Sequence, residues 1–397
     1  MLFSQKYKLS LLELLLGLGL GLGYMTSLRF AGPVGISELL ILFSLILLFQ
    51  NHGRSLFRYD LNNPAGIIKI YMLSAVFLLL PLMTMVTMLF AGFKTAPEYI
   101  ISFMMGISLA FLLVEALKHK RIDMANVVLW FAFAYILTNL LTIFFFPSAL
   151  ESARYTGVAK NPNQLMFYAS CLSLLLVIYR PKLSFVLVPI VVWITMKSGS
   201  DAYLLTLFVT IAVYLMIVLL FSGRFSFGVG LLFSVLVGMA LVYFILTNYM
   251  DEIVLLWLAA DEGNARTSLM IHAWEVSLTS PILGYGAGSF SGYESPFLTS
   301  EAHNTYLDFS MQFGMIFPAI IYSVFFAFLF NRIKNGYYMQ AAFVAAFIVS
   351  GLFHFTGRHF FFWVEFAIFY YYIFYHEKKT VMTKLDVQKK VDSKCAA

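Results

Sequence analysis

A chain of 397 residues that is 61% hydrophobic and 12% charged, with a mean hydropathy of +0.85, is too apolar for a single water-soluble core. This composition predicts an integral membrane protein and excludes the soluble enzyme classes. The formal net charge of +6 comes largely from lysines and arginines in short loops. Such residues orient membrane proteins, so nucleic acid is not an expected partner.

Twelve apolar stretches predict an all-α polytopic membrane protein with about twelve transmembrane helices. Residues 1–247 hold the first nine spans and residues 305–375 hold the last three. Residues 248–304 form a large helical outer loop between spans nine and ten, and residues 376–397 form a short basic tail. The predicted spans are 9–24, 34–49, 70–90, 99–117, 124–146, 164–179, 183–196, 202–221, 225–247, 306–330, 337–353 and 360–375.

Charge asymmetry gives an independent prediction of orientation, because lysine and arginine are retained on the cytoplasmic side of short loops. If the amino terminus lies in the cytoplasm, most of the 26 basic residues fall on the inner side. Every inner loop then holds at least one of them. The pattern predicts that both termini are cytoplasmic and that the loop 248–304 faces the periplasm or the exterior.

The outer stretch 151–163 combines two cations with a tight turn. Arg154 and Lys160 bring positive charge to the membrane surface, and Asn161 and Asn163 flank a proline. An arginine fork fits a phosphate group with two parallel charge-assisted hydrogen bonds. Arg154 is also typical of a lipid-headgroup anchor or of an ion pair within the loop, because interfacial arginines are common in membrane proteins.

The outer loop begins with acidic residues and continues into a predicted helix. The acidic pairs at 251–252 and 261–262 are better explained as solvated loop charge than as a metal site, since no histidine lies between them. After Arg266, Met270 and Trp274 follow at four-residue spacing, so both lie on one face of that helix.

A glycine-rich segment follows this helix, which Pro281 and Gly284 are expected to end. Residues 284–290 read Gly-Tyr-Gly-Ala-Gly-Ser-Phe. The segment lacks the preceding strand of a dinucleotide fold and the lysine of a P-loop, so a nucleotide site is not predicted. It predicts a backbone that turns sharply or lies close to a bound substrate.

His303 lies where the outer loop re-enters the membrane, close in sequence to Glu301. An imidazole has an ordinary pKa of about 6.5 and exchanges protons near neutral pH, which suits a general base. A histidine at this place also suits a helix cap or a backbone hydrogen bond. A second outer cluster, His354, Arg358 and His359, adds an arginine able to bind phosphate.

The order of these motifs resembles that of the bacterial O-antigen ligase and polymerase superfamily. The resemblance covers nearly the whole chain, and its strongest part is residues 302–314, which look like the family's His-Asn segment leading into a helix that ends in a glycine. The motifs in order are Arg154-x-x-Gly157 with Asn161-Pro-Asn163, Arg266 with Trp274 and Pro281, Gly284-Tyr-Gly-Ala-Gly288, and His303-Asn-Thr-Tyr-Leu307.

This resemblance implies transfer of a glycan from a polyprenyl-pyrophosphate carrier to an acceptor sugar hydroxyl, on the periplasmic face of a bacterial inner membrane. It implies an inverting reaction without metal or cofactor. Arg154 and Arg266 would bind the pyrophosphate and His303 would be the general base. Substrate contacts are assigned to Lys160, Asn161, Asn163, Lys197, Trp274, Glu301, Asn304, Tyr306 and Arg358.

The resemblance leaves the acceptor open. A polymerase moves the growing glycan onto a new lipid-linked repeat unit, whereas a ligase moves it onto lipid A core, and a chain-length regulator is a further partner implied by the family. Many relatives have a Ser-Arg pair after the seventh span, where this chain has Asp201, and Lys197 is a candidate replacement for the missing charge. This departure favours the polymerase over the ligase. Transfer to a protein hydroxyl ranks lower, because no protein-binding extension is evident.

A transporter is the competing class, since twelve spans is a common number among transporters. Coupled transporters usually hold ionisable groups near the membrane midplane, between repeated halves. The predicted spans contain few such groups and no internal repeat, so glycan transfer is favoured. The ionisable residues of the spans are mainly Glu13, Glu38, Glu115 and Glu365, with Asp308 near a helix end.

Overall fold

The computed structural model of the protein describes ten segments of the chain. Within them, the side chains at 162, 201–205 and 261–267 are not described. The segments are residues 10–25, 35–58, 60–92, 95–145, 155–159, 162–198, 201–221, 261–289, 301–352 and 354–376.

These segments fold into helices, and none of their residues belongs to a strand. Long apolar sequences with few glycines and prolines favour this outcome, because a helix satisfies its own backbone hydrogen bonds in lipid. The helices are α1 (Leu11–Leu22), α2 (Ile36–Leu56), α3 (Pro64–Ala91), α4 (Glu98–Lys118), α5 (Met124–Phe145), α6 (Pro162–Tyr179), α7 (Pro181–Met196), α8 (Asp201–Phe221), α9 (Asp261–Thr279), α10 (Thr305–Phe313), α11 (Ile316–Lys334), α12 (Tyr338–Ser350) and α13 (Phe360–Tyr371).

Among the described residues, five helices are long and apolar enough to cross a membrane, namely α2, α3, α4, α5 and α11. Shorter apolar helices accompany them, including α1, α7 and α12. The protein is therefore an all-α, multi-pass membrane protein, as its composition predicts. The number of twelve spans stays a prediction, and the predicted ninth span, 225–247, lies outside the described segments.

The predicted stretch 306–330 is not one helix. Helix α10 ends at Gly314, and α11 begins two residues later. Gly314 has a φ of +82°, and a β-carbon there would lie 2.3 Å from the carbonyl oxygen of Ile282. The next residue, Met315, donates a backbone hydrogen bond of 2.7 Å to Pro281. The close approach of the loop after α9 therefore divides the stretch into a short helix and a longer apolar one.

Helices α4 and α13 pack side by side over an aromatic core. Gly106 of α4 lets Trp363 of α13 approach closely, and the Trp363 indole donates a 2.9 Å hydrogen bond to the Gly357 carbonyl. Phe103 and Phe313, which belong to α4 and α10, meet edge to face at 5.2 Å between ring centroids. These contacts pack the N-terminal half of α4 against the end of α10 and the first turn of α13.

Candidate functional site

The backbone at His303 is held in an unusual conformation by a buried carboxylate. His303 has a φ of +53°, in the left-handed region that non-glycine residues rarely adopt. Asp308, which is fully buried, accepts hydrogen bonds from the backbone N–H of Ala302 at 2.9 Å and of Asn304 at 3.2 Å. The two bonds flank His303 on both sides. The carboxylate therefore fixes the peptide geometry from which the imidazole projects.

Helix α10 begins immediately after this turn. Asn304 is its N-cap, and the Asn304 Oδ1 accepts a hydrogen bond of 3.2 Å from the backbone N–H of Leu307. The sequence offers two roles for His303, a helix cap and a general base, and the structure gives the cap to the next residue. Asn304 caps the helix, and His303 precedes the cap with its side chain lining a cavity.

Thr305 fastens the His303 turn to the loop before α13. Its backbone N–H donates a 2.7 Å hydrogen bond to the Gly351 carbonyl. Its hydroxyl donates to the His354 carbonyl and accepts a 2.9 Å hydrogen bond from the backbone N–H of Thr356. Residues that are 46 to 51 positions apart in the chain are thereby held in fixed register.

An ion pair joins the same two loops. Arg358 Nη1 contacts Glu301 Oε1, and the Tyr99 hydroxyl donates a 3.3 Å hydrogen bond to the same oxygen. Burial lowers the pKa of Arg358, but Glu301, Tyr99 and Asp308 together raise it more, so the pKa lies above its ordinary value. The Glu301 side chain is 12% exposed and that of Arg358 is 34% exposed. A charged guanidinium thus reaches the protein surface next to a mostly buried carboxylate.

His303, Glu301 and Arg358 line one cavity. The volume of this partly open cavity is about 50 Å³, which holds one or two waters at about 30 Å³ each. A sugar or a pyrophosphate would therefore lie at its mouth rather than inside it. The lining residues are Asn163, Gln164, Phe167, Glu301, His303, His354, Phe355, Thr356, Arg358 and His359.

Three helices begin at this cavity. Asn163 and Gln164 belong to the first turn of α6, His303 precedes the cap of α10, and His359 is the N-cap residue of α13. The N-terminus of a helix carries a partial positive charge and N–H groups without helical partners, so it favours anions. Convergence of three such ends with Arg358 makes this cavity an environment for a negatively charged group.

Three other predicted substrate contacts lie away from the cavity lining. The Lys197 ammonium lies over the ring of Trp193, 5.5 Å from its centroid. Trp274 is 46% exposed on α9. Tyr306 is partly buried and packs edge to face on Tyr322, with 5.8 Å between centroids, so its contacts are with the helical core.

Several predicted site residues fall on the part of the chain that is not described. Arg154, Lys160 and Asn161 lie outside the described residues. Arg266 lies in α9, but its side chain is not described. The roles of these residues in binding a pyrophosphate therefore stay predictions.

Residues 155–159, which are described within the outer stretch 151–163, form hydrogen bonds with α5 and with the residue that follows α7. The backbone N–H of Tyr155 donates a 3.3 Å hydrogen bond to the Lys197 carbonyl, and the Tyr155 hydroxyl donates a 3.1 Å hydrogen bond to Asn139 Oδ1. Burial raises the pKa of Tyr155 to about 12, so the hydroxyl stays a donor at neutral pH. Tyr155 and Lys197 are thus held next to each other.

The glycine-rich segment packs against protein rather than forming an open cradle. The Ala287 N–H donates a 2.8 Å hydrogen bond to Thr84 Oγ1, and the Thr87 hydroxyl donates a 2.7 Å bond to the Tyr285 carbonyl. Gly286 has a φ of +92°, and a β-carbon there would lie 2.4 Å from the Thr84 nitrogen. Of the two predicted roles, the described part of the segment therefore shows a sharp turn in close contact with α3.

Sequence reasoning missed some residues of the site. His354 and His359 were noted beside Arg358 but given no role, although both line the cavity. Gln164 was not singled out, and Asp308 was considered only as an ionisable group in a span. Their position in the sequence could have indicated them, since Gln164 and His359 each lie at the start of an apolar stretch, where a helix begins.

Comparisons with protein-family models, with curated proteins and with solved structures find no match to this chain. The resemblance to the O-antigen ligase and polymerase superfamily therefore stays a prediction from sequence motifs.

Proposed function

We propose that the protein is a membrane glycosyltransferase that polymerises polyprenyl-pyrophosphate-linked repeat units into a surface polysaccharide such as O-antigen, capsule or exopolysaccharide. The observation that supports it most is the convergence of three helix N-termini, Arg358 and His303 on one cavity. Helix ends and a guanidinium bind a pyrophosphate, and an imidazole accepts a proton. Glycan transfer from a pyrophosphate carrier needs both functions.

The proposed reaction exchanges one carbon–oxygen bond for another. The acceptor hydroxyl oxygen bonds to the anomeric carbon of the donor while the bond from that carbon to the pyrophosphate oxygen breaks, and its electron pair leaves with the pyrophosphate. His303 accepts the hydroxyl proton and afterwards releases it to water. The products are the lengthened glycan and the lipid pyrophosphate. Attack from the side opposite the leaving group inverts the anomeric centre.

Among the cationic side chains that the structure describes, that of Arg358 is best placed to stabilise the departing pyrophosphate. It is paired with Glu301, so a bound donor must replace or share that carboxylate. The helix N-termini around it supply fixed dipoles that need no reorientation when negative charge develops. Arg154 and Arg266 are proposed to add charge from the outer loops, by their match to the family motifs.

The acidic residues of the apolar helices weigh against the transporter interpretation. Glu13 accepts a 2.8 Å hydrogen bond from the Asp123 N–H, and Glu38 accepts a 2.9 Å bond from the Gly35 N–H. Glu115 pairs with Lys118 at 3.0 Å at the end of α4. These three groups have structural partners at helix ends, whereas coupling groups of transporters line a central pathway. Glu365, buried within α13, is the exception.

The test is the surface-glycan gel profile of a deletion strain complemented with wild type, His303→Ala or His376→Ala at equal protein levels in the membrane. His376 is an exposed histidine at the opposite end of the α13 segment and serves as the matched control. Loss of the long ladder with His303→Ala alone is the expected result. A surviving single repeat on the core indicates a polymerase, and a bare core indicates a ligase. An unchanged ladder contradicts the role of His303.

A further inference from the structure

A second polar cavity lies at the opposite end of α4 and α13 from His303. Helix α4 starts beside Glu301 with Tyr99 and ends at Lys118, which lines this second cavity together with Tyr375. The 21 residues of α4 span about 30 Å at about 1.5 Å per residue, which is the thickness of the hydrocarbon core of a membrane. The two cavities therefore lie on opposite faces of the bilayer.

A buried lysine forms the floor of the second cavity. Lys69 is 6% exposed, and its ammonium donates hydrogen bonds to the carbonyls of Ser55 at 2.6 Å and Arg58 at 3.4 Å. Lysine is rarely buried to this extent without a functional or structural reason. Loop cations that only orient a membrane protein stay in solvent, so Lys69 distinguishes this site from ordinary positive loops.

The cations of this cavity outnumber its carboxylates. Glu115 is already contacted by Lys118 at 3.0 Å, Lys69 at 4.0 Å and His119 at 4.0 Å. Arg58 also lines the cavity, and Asp60 is the second lining carboxylate. With Arg58, Lys69 and Lys118 against two acids, the lining keeps a net positive charge before His119 is counted.

A helix N-terminus adds to this positive field. Asn63 caps α3 by accepting a 3.1 Å hydrogen bond from the Ala65 N–H, and Asn63 and Gly66 both line the cavity. The first turn of α3 thus points its dipole into a space that already carries cations. The volume is about 360 Å³, which lies in the range of about 300 to 1,000 Å³ typical of small-ligand sites.

We propose that this cavity binds a phosphate group, supplied by a lipid headgroup or by free phosphate. Basic pockets between transmembrane helices on the cytoplasmic side are suited to anionic headgroups. Orientation by loop charge makes this end cytoplasmic, because Arg54, Arg58, Lys118 and Arg121 lie there. The site is separate from the proposed transfer site and does not depend on its chemistry.

An adjoining space fits the remainder of a phospholipid. It has a volume of about 780 Å³ and shares Arg58 and His119 with the phosphate cavity. Phe49 and Phe57, which line it, are 49% and 65% exposed. A phospholipid whose phosphate lies in the phosphate cavity would place its glycerol and acyl chains beside these aromatic rings.

The test is isothermal titration calorimetry of the purified full chain in an uncharged detergent. The two probes are dihexanoyl phosphatidic acid and inorganic phosphate, and the variants are Arg58→Gln and Arg121→Gln. Arg58 is exposed and lines the cavity, whereas Arg121 is an exposed arginine at the same end that does not line it. Both variants lose one positive charge, so bulk electrostatics is matched.

The expected result is saturable binding of at least one probe, with a Kd raised about tenfold by Arg58→Gln and unchanged by Arg121→Gln. Binding of phosphatidic acid alone identifies a lipid headgroup as the source, and equal binding of both probes identifies free phosphate. Binding of neither probe overturns the proposal. Equal weakening by the two variants also overturns it, because it indicates a diffuse surface attraction.

Discussion

The two cavities at the ends of α4 and α13 obtain their positive character in different ways. The cavity lined by His303, called the outer cavity after the side that the sequence predicts for it, holds one arginine, Arg358, which is already paired with Glu301. Helix N-termini and histidines surround it. The opposite cavity is lined by three cationic side chains, those of Arg58, Lys69 and Lys118. The positive potential of the first cavity comes mainly from helix N-termini, and that of the second comes mainly from charged side chains.

This difference suits the first cavity to catalysis and the second to holding a bound anion. Fixed backbone dipoles and imidazoles stabilise charge that appears during a reaction and can move protons. Lysines and arginines hold a permanent anion through their formal charge. We therefore expect variants of the outer cavity to alter reaction rates and variants of the opposite cavity to alter ligand retention.

The largest expected effect concerns the backbone scaffold of the outer end. Gly286→Ala places a β-carbon 2.4 Å from the Thr84 nitrogen, with φ at +92°. We expect the free energy of unfolding to fall by about 1–3 kcal/mol from backbone strain and about 1–3 kcal/mol more from overpacking. Thermal unfolding of the purified protein measures this loss.

Gly336→Ala is the matched control for that substitution. Gly336 has a φ of +76°, but no atom lies within 4 Å of the position of its β-carbon. This variant should show the strain contribution alone. Equal losses for the two variants would contradict the close packing of the glycine-rich segment on α3.

The next effect concerns Arg358. Arg358→Gln removes the charge next to Glu301, and we expect kcat/KM for the lipid-linked donor to fall about a hundredfold, or about 2.7 kcal/mol. Arg358→Lys keeps the charge but loses the planar fork, so it should recover only part of the activity. Steady-state kinetics with purified protein and lipid-linked donor measures both. Full activity of Arg358→Gln would remove the guanidinium from the proposed site.

A smaller effect is expected at Thr305, a positioning residue. Thr305→Val removes the hydroxyl that accepts the Thr356 N–H and donates to the His354 carbonyl. The free energy of unfolding should fall by about 1–3 kcal/mol, and kcat should fall while the donor KM stays unchanged. Thr305→Ser, which keeps the hydroxyl, should restore both. A normal kcat in the valine variant would show that the register of the two loops does not matter for the reaction.

The smallest effect is expected at Lys197. Its ammonium lies over Trp193 and does not line the outer cavity. Lys197→Gln should leave kcat/KM unchanged and lower the free energy of unfolding by at most about 1 kcal/mol. A loss of activity comparable to that of Arg358→Gln would instead support the prediction that Lys197 replaces the arginine missing at Asp201.

Local features of the fold were predictable where one residue determines the backbone. Pro281 and Gly284 predicted the end of the helix that stops at Thr279, and residues 302–314 predicted a helix that ends in a glycine. Composition alone predicted an all-α membrane protein. Hydropathy alone predicted one unbroken span over 306–330, because it does not register the approach of Pro281 and Ile282 to Gly314.

The candidate site was only partly predictable. His303 was predictable as a proton acceptor, Arg358 as a phosphate-binding cation, and Glu301 by its closeness in sequence to His303. Their meeting depends on the packing of α4, α10 and α13, which is set by aromatic contacts between distant parts of the chain. The role of Asp308 was hidden for a similar reason, since its side chain reaches back to the backbone on both sides of His303.

The most direct test of the proposed function is an assay of the purified protein reconstituted in liposomes with a polyprenyl-pyrophosphate-linked repeat unit. Lengthening of the glycan and movement of the substrate across the bilayer are measured together for wild type, His303→Ala and His376→Ala. We expect wild type and His376→Ala to lengthen the glycan, and His303→Ala to be slower by about 10² to 10⁴-fold. Movement of substrate without glycan lengthening by the wild-type protein would contradict glycan transfer and support a transporter.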